Sequence, residues 1–174
     1  ATDGSKKWEF KAGGAIASTP LIYNNTVYIG SFDRYLYALN ATDGSLKWKF
    51  LARDWFWTRP VAYNGVVYAG CLDGKVYALD AQSGNKLAEF DLESPVCSSP
   101  VLVGSSIIVA SEKGRVYAVD TSNNQIRQLA NIEEKIYAPL STSDGVIYIH
   151  TDAQTLYVLT ADTGVRLWSL SLKK

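Results

Sequence analysis

The chain has 174 residues, and its 17 Lys and Arg balance 17 Asp and Glu to a formal net charge of zero at pH 7. That balance removes the electrostatic case for a nucleic-acid partner, which needs an excess of clustered cations. The 47% apolar and 20% charged residues are those of an ordinary globular chain, and no run reaches the roughly 18 apolar residues of a transmembrane segment.

The first ten residues, "ATDGSKKWEF", open a series. The phrase returns at Ala41 as "ATDGSLKWKF", degenerates at Ala81 ("AQSGNKLAEF") and Thr121 ("TSNNQIRQLA"), and recovers at Ala161 as "ADTGVRLWSL", always 40 residues on. Gly4, Gly44, Gly84 and Gly164 share one column, with Asn124 as the sole replacement. A hairpin residue at positive φ accepts Gly most easily and Asn next, so the column marks a turn.

Between these phrases each unit holds about four apolar runs rich in Val, Ile, Tyr and Leu, separated by Asn-Gly, Asp-Gly and Ser-Gly punctuation. Strand A is expected near Ser18-Thr19-Pro20, B near Thr26, C near Tyr35 and D near Leu46. Pro20, Pro60 and Pro100 form a column, Pro139 falls one residue early, and Gly145 keeps step with Gly65. The runs are often apolar on consecutive residues, as in a sheet covered on both faces. Four-stranded sheets of this kind, stacked at a 40-residue period, predict an all-β fold, a β-propeller of antiparallel four-stranded blades.

The expected segments are 1–10, strand D of a preceding blade, then blades at 11–50, 51–90, 91–130 and 131–174. Strand D of the last blade is expected at Val165 to Leu170, so Lys6 to Phe10 is left over. The reading favours an excerpt of a longer propeller over a half-ring closed by a second copy (a homodimer) or a closed four-bladed ring with an exposed edge. No secretory signal is visible, and the chain starts without methionine, consistent with removal of upstream sequence.

The runs "YALNATDGSLKWKF" at Tyr37, "YALDAQSG" at Tyr77 and "VLTADTGVRLW" at Val158 resemble the tryptophan-docking repeat of the pyrroloquinoline quinone (PQQ)-type β-propellers. The resemblance covers nearly the whole chain. It implies that Trp8, Trp48 and Trp168 dock on neighbouring blades, and that Ala88 and Gln128 weaken the joints of blades two and three. It also implies a periplasmic or extracellular location. Both quinoprotein dehydrogenases and the assembly scaffold BamB carry this repeat, so fold alone does not choose between them.

"RDWFWTRP", Arg53 to Pro60, lies on the connection from strand D of blade 1 into strand A of blade 2, where the other blades carry small or mixed residues. In a propeller these connections share a face with the B-to-C turns. That face is expected to gather Arg53, Asp54, Trp55, Trp57, Arg59 and Tyr137, with Asp33, Arg34, Asp73, Glu112, Lys113 and Asp152 from the turns. Aromatics beside arginines anchor protein interfaces, and they also suit a ring-shaped ligand bearing carboxylates. Packing between blades is the alternative reading for both tryptophans. Asp33, Asp73 and Asp152 read as turn residues bonded to local backbone.

No catalytic constellation is visible. His150 is the single histidine, and no phosphate loop, nucleophile elbow or Cys-x-x-Cys pair occurs. A bond between Cys71 and Cys97 would require Cα atoms within about 7 Å. Asn24-Asn25-Thr26 and Asn40-Ala41-Thr42 match the glycosylation sequon, though asparagine has a sufficient backbone role in such turns.

The favoured function is a non-catalytic binding scaffold for a protein partner, without cofactor. The alternatives are part of a quinoprotein oxidoreductase using PQQ and Ca²⁺, whose family pattern adds adjacent cysteines absent here, and a propeller that senses a small ligand or carbohydrate.

Overall fold

Sixteen strands in four sheets make up the computed structural model, which describes residues 3–173. Ala1, Thr2 and Lys174, the ends of the first and last expected segments, lie outside the described residues. The first sheet is β1 (Leu21–Tyr23), β2 (Thr26–Gly30), β3 (Tyr35–Asn40) and β4 (Leu46–Leu51), antiparallel and in chain order. The second is β5 (Val61–Tyr63), β6 (Val66–Gly70), β7 (Lys75–Asp80) and β8 (Lys86–Asp91). The third is β9 (Val101–Val103), β10 (Ser106–Ala110), β11 (Arg115–Asp120) and β12 (Gln125–Asn131). The fourth is β13 (Ser141–Ser143), β14 (Val146–His150), β15 (Thr155–Thr160) and β16 (Arg166–Ser171). These are the blades of a propeller, and they do not close into a ring. No helix among the described residues is long and apolar enough to cross a membrane.

Local chemistry sets the strand ends. The two-residue hairpins of the first, second and fourth blades have consecutive positive φ values, at Asn24 and Asn25 (47° and 53°), Asn64 and Gly65 (46° and 78°), and Asp144 and Gly145 (51° and 75°). That is the turn whose twist matches paired strands. The inner strands begin later than expected, at Leu21, Val61 and Val101, directly after the proline column, because proline has no N–H for a ladder. Pro139 causes no shift. Leu140, buried at 4% exposure, takes the proline's place and β13 starts at the matching Ser141.

The core lies between sheets rather than inside them. One cluster joins blades 1 and 2 through Tyr28, Leu36, Trp48, Phe56, Val67 and Leu79. A second joins blades 2 and 3 around Tyr68, Phe90, Leu92 and Val96, which fill the joint at Ala88 without a tryptophan. A third joins blades 3 and 4 through Ile108, Ile136, Ile147 and Ile149.

Lys6 to Phe10 forms no ladder among the described residues. It still lies against blade 1, where Trp8, Phe10 and Ala12 pack on Ile29, Tyr37 and Leu39.

Candidate binding rim

The connections into strand A and the B-to-C turns meet on one rim, and backbone bonds join them within each blade. The Phe32 amide donates to the Ala15 carbonyl at 2.9 Å, Leu72 to Trp55 at 3.0 Å, Glu112 to Pro95 at 2.7 Å and Asp152 to Lys135 at 2.9 Å. In blade 1 the Asp33 carboxylate accepts from the Gly13 amide at 2.8 Å, the Tyr35 amide at 3.0 Å and the Tyr37 hydroxyl at 2.5 Å. Asp73 repeats the arrangement with the Lys75 amide at 3.1 Å, the Tyr77 hydroxyl at 2.7 Å and the Arg53 amide at 3.3 Å. These two aspartates therefore hold the turns to the connections. Asp152 shows no side-chain bond among the described residues.

Burial raises the Asp33 pKa, but its hydrogen bonds, led by Tyr37, outweigh that and hold it below the usual carboxylate value; burial and then Asp33 push Tyr37 up to about 12. A carboxyl lowered in the folded state stabilises the fold above its unfolded pKa, about 3.9, and loses that contribution as pH falls through the folded value. Asp33→Asn should flatten the acid limb of stability below about pH 4, measured as urea midpoints at neutral and acid pH.

At the joint of blades 1 and 2 the turn residue Phe32 meets the aromatic connection. Its ring lies 4.4 Å from that of Trp55 and 5.4 Å from that of Trp57, at interplanar angles of 11° and 16°. Trp55 and Trp57 remain 40% and 46% exposed, while Phe56 between them is 1% exposed and faces the core. The alternation is that of extended chain, whose successive side chains point to opposite sides. Asp54 is used locally: its carboxylate accepts from the Trp55 amide at 2.8 Å and its carbonyl from the Cys71 thiol at 3.2 Å. Arg53 and Arg59 are exposed, and the Arg59 amide donates to the Ser99 hydroxyl of blade 3 at 3.0 Å.

Tyr137 is not part of this cluster. It sits at the joint of blades 3 and 4, where its hydroxyl donates to Glu112 at 2.7 Å and the Lys135 ammonium reaches the same carboxylate at 3.0 Å. The bond from Tyr137, then that from Lys135, lowers the Glu112 pKa, and the bond to Glu112 raises that of Tyr137. This exposed pair contributes little to stability. Of the expected six residues, Trp55 and Trp57 meet Phe32 at the joint of blades 1 and 2, Arg53, Asp54 and Arg59 lie on the same connection without joining that stack, and Tyr137 stands at another joint, with Phe32 and Lys135 as partners that the repeat columns had not singled out.

The docking tryptophans also divide. The Trp8 indole donates to the Ala41 carbonyl at 3.0 Å and lies over Gly44, where an added Cβ would stand 2.6 Å from its ring. Trp48 repeats this on Ala81, at 3.1 Å, and Gly84, again 2.6 Å from an added Cβ. Trp168, at 48% exposure, has no docking partner among the described residues.

Both cysteines are free. Cys71 is buried and its thiol is pushed up to about 12; Cys97 is half-buried and pushed up to about 11, in each case chiefly by burial. Neither should react quickly with Ellman's reagent at neutral pH, and both should do so after unfolding.

A cleft of about 660 Å³ lies elsewhere. Asn24, Lys47, Gly65 and Asp80 line it among the A-to-B and C-to-D turns, the ends of the blades opposite the aromatic rim. Thr26 and Tyr28 of β2 complete the lining with Ala81 and Gln82, and no set of catalytic groups converges there.

The model of the family described as outer membrane protein assembly factor BamB matches residues 1–170. No curated protein matches the chain. Among solved structures, BamB from Moraxella catarrhalis superposes with a TM-score of 0.83 at 18% identity, over 98% of this chain and 56% of that one. The computationally designed Ika4 protein gives 0.81 at 16% identity, over 90% of this chain and 98% of that one. A quinohemoprotein alcohol dehydrogenase from Pseudomonas putida HK5 gives 0.80 at 17%, over 95% and 35%. At these identities the likenesses establish the fold, and the chain spans little more than half of the Moraxella BamB. By its repeats, its sheets and its match over residues 1–170, the chain belongs to the BamB family of PQQ-repeat β-propellers.

Proposed function

We propose that the chain is a non-catalytic binding module that holds a protein partner on the rim carrying Phe32, Trp55 and Trp57. One observation carries the reading: two indoles, stacked on Phe32, keep 40% and 46% of their surface exposed, with Arg53 and Arg59 exposed on the same connection. Rigid aromatic area next to arginine is what protein interfaces concentrate at their anchors. The family's description as an assembly factor supports the same reading, and with it a periplasmic or extracellular location.

The residues present lend the binding reading more support than the quinone alternative. No group of three or more His, Cys, Asp or Glu converges among the described residues to hold a calcium ion, and Cys71 and Cys97 are not adjacent. The likeness to a dehydrogenase is one of fold. Titration with PQQ and Ca²⁺ should give no saturable change in tryptophan emission.

The direct test places a photo-crosslinking amino acid at Arg59 in cells that produce the protein. A discrete protein adduct should form, vanish in the Trp55→Ala/Trp57→Ala background, and be absent when the crosslinker stands at Leu87, an outer-strand position 53% exposed. Equal adducts from both positions, or none from Arg59, would refute the rim as the contact surface.

A further inference from the structure

Across the four blades, the residue that opens strand B and the residue 21 positions later in strand D change together. Blade 1 pairs Thr26 with Lys47 and blade 3 pairs Ser106 with Arg127, a hydroxyl with a cation. Blade 2 pairs Val66 with Leu87 and blade 4 pairs Val146 with Leu167, apolar with apolar. Two blades fold with the apolar pair, so folding does not call for the polar one. Both polar pairs line clefts at the ends of the blades opposite the aromatic rim. Thr26 and Lys47 line the cleft of about 660 Å³ at the joint of blades 1 and 2, and Ser106 and Arg127 line one of about 590 Å³ at the joint of blades 3 and 4.

The first cleft keeps its polar groups unspent. Thr26, 3% exposed, accepts from the Lys47 ammonium at 2.7 Å and so fixes the tip of that side chain. The ammonium forms no ion pair among the described residues, which leaves its other N–H donors unspent. Across the joint, Asp80 uses Oδ1 alone for its own turn, accepting from the Gln82 and Ser83 amides and the Ser83 hydroxyl. The side-chain amides of Asn24 and Gln82 share the lining and make no bond among the described residues. Tyr28 gives the cleft a fixed floor, because its buried hydroxyl donates to the Ala81 carbonyl at 2.9 Å.

In the second cleft the same positions are spent or missing. The Arg127 guanidinium donates to the Asp162 carbonyl, Gly104 stands in the Asn24 column, and Thr160 replaces Asp80 and bonds Thr163.

The charges of the first cleft select its ligand. Asp80 disfavours an anion and Lys47 a cation. A hydroxyl both donates and accepts, so a neutral molecule dense in hydroxyls satisfies the ammonium, the carboxylate and both amides together. The volume falls within the range of about 300–1,000 Å³ of small-molecule sites.

We infer that the cleft between blades 1 and 2 binds a short neutral oligosaccharide through Lys47, Asp80, Asn24 and Gln82. The site lies away from the Phe32 stack and does not depend on the protein contact proposed there.

The test is an array of neutral and acidic oligosaccharides, with glycylglycine as a zwitterionic comparison, probed with the full chain; NMR titration then gives the Kd of the strongest neutral binder. Saturable binding of a neutral glycan is expected. Thr26→Val/Lys47→Leu, which imports the pair of blade 2, should weaken it at least tenfold while Tm stays within about 4 °C of the parent. Asn24→Gly imports the residue of blade 3 at a φ of 47° that glycine accepts, and should weaken binding about fivefold, so the proposal stays testable if the double variant unfolds. Trp55→Ala/Trp57→Ala should bind as the parent does. No neutral glycan bound, tighter binding of acidic glycans or of glycylglycine, or an affinity that Asn24→Gly and the folded double variant both leave unchanged would overturn the proposal.

Discussion

Trp48→Ala should cost about 3–5 kcal/mol of stability, whereas Trp168→Ala, the same substitution at the same repeat position, should cost about 1 kcal/mol or less. Trp48 is 8% exposed; it fills the joint between two sheets and satisfies its indole nitrogen on the Ala81 carbonyl. Its removal leaves a cavity walled by rigid strands, which cannot collapse onto it, and strips a buried carbonyl of a donor. Tyr28, 5.7 Å away ring to ring and also bonded to the Ala81 carbonyl, loses its neighbour as well. Trp168 has none of these contacts and is 48% exposed. Chemical denaturation followed by circular dichroism measures both. Similar losses for the two variants would mean that inter-blade docking is not what holds the sheets together.

Gly30→Val should cost about 3 kcal/mol by overpacking. Gly30 needs no unusual backbone angle; its requirement is space, because a Cβ there would stand 2.5 Å from both the Cβ and the carbonyl oxygen of Phe56. The carbonyl belongs to backbone, so repacking of the phenylalanine ring relieves only part of the clash. Ala110→Val should be milder, since that joint already accommodates a Cβ against the blade that follows. A Gly30→Val protein with unchanged urea midpoint would show that the blades separate easily and that the small-residue column has no steric cause.

Much of this was legible in the repeats, for a physical reason. A stacked array presents the same local problem every 40 residues, so the turn glycines, the strand B ends and the docking tryptophans appear as columns. What the columns did not show are contacts that occur once. Phe32 and Trp55 come from different blades and different loops, and their stacking is not repeated at the other joints, where Leu72 and Glu112 replace the phenylalanine. Tyr137 shares a column with Trp57, yet each answers to its own joint, so a common column did not mean a common cluster. Lys6 to Phe10 had the pattern of a strand but no ladder partner; side-chain docking alone holds it in place.

The rim is a contact surface if its tryptophans can be removed without loosening the joint beneath them, so the most direct measurement is the thermal unfolding of Trp55→Ala/Trp57→Ala. Phe56, not the two indoles, fills the space between the sheets, and the double variant should unfold within about 4 °C of the parent. A drop as large as that of Trp48→Ala would contradict the account, because it would make the Phe32 stack a structural part of the joint.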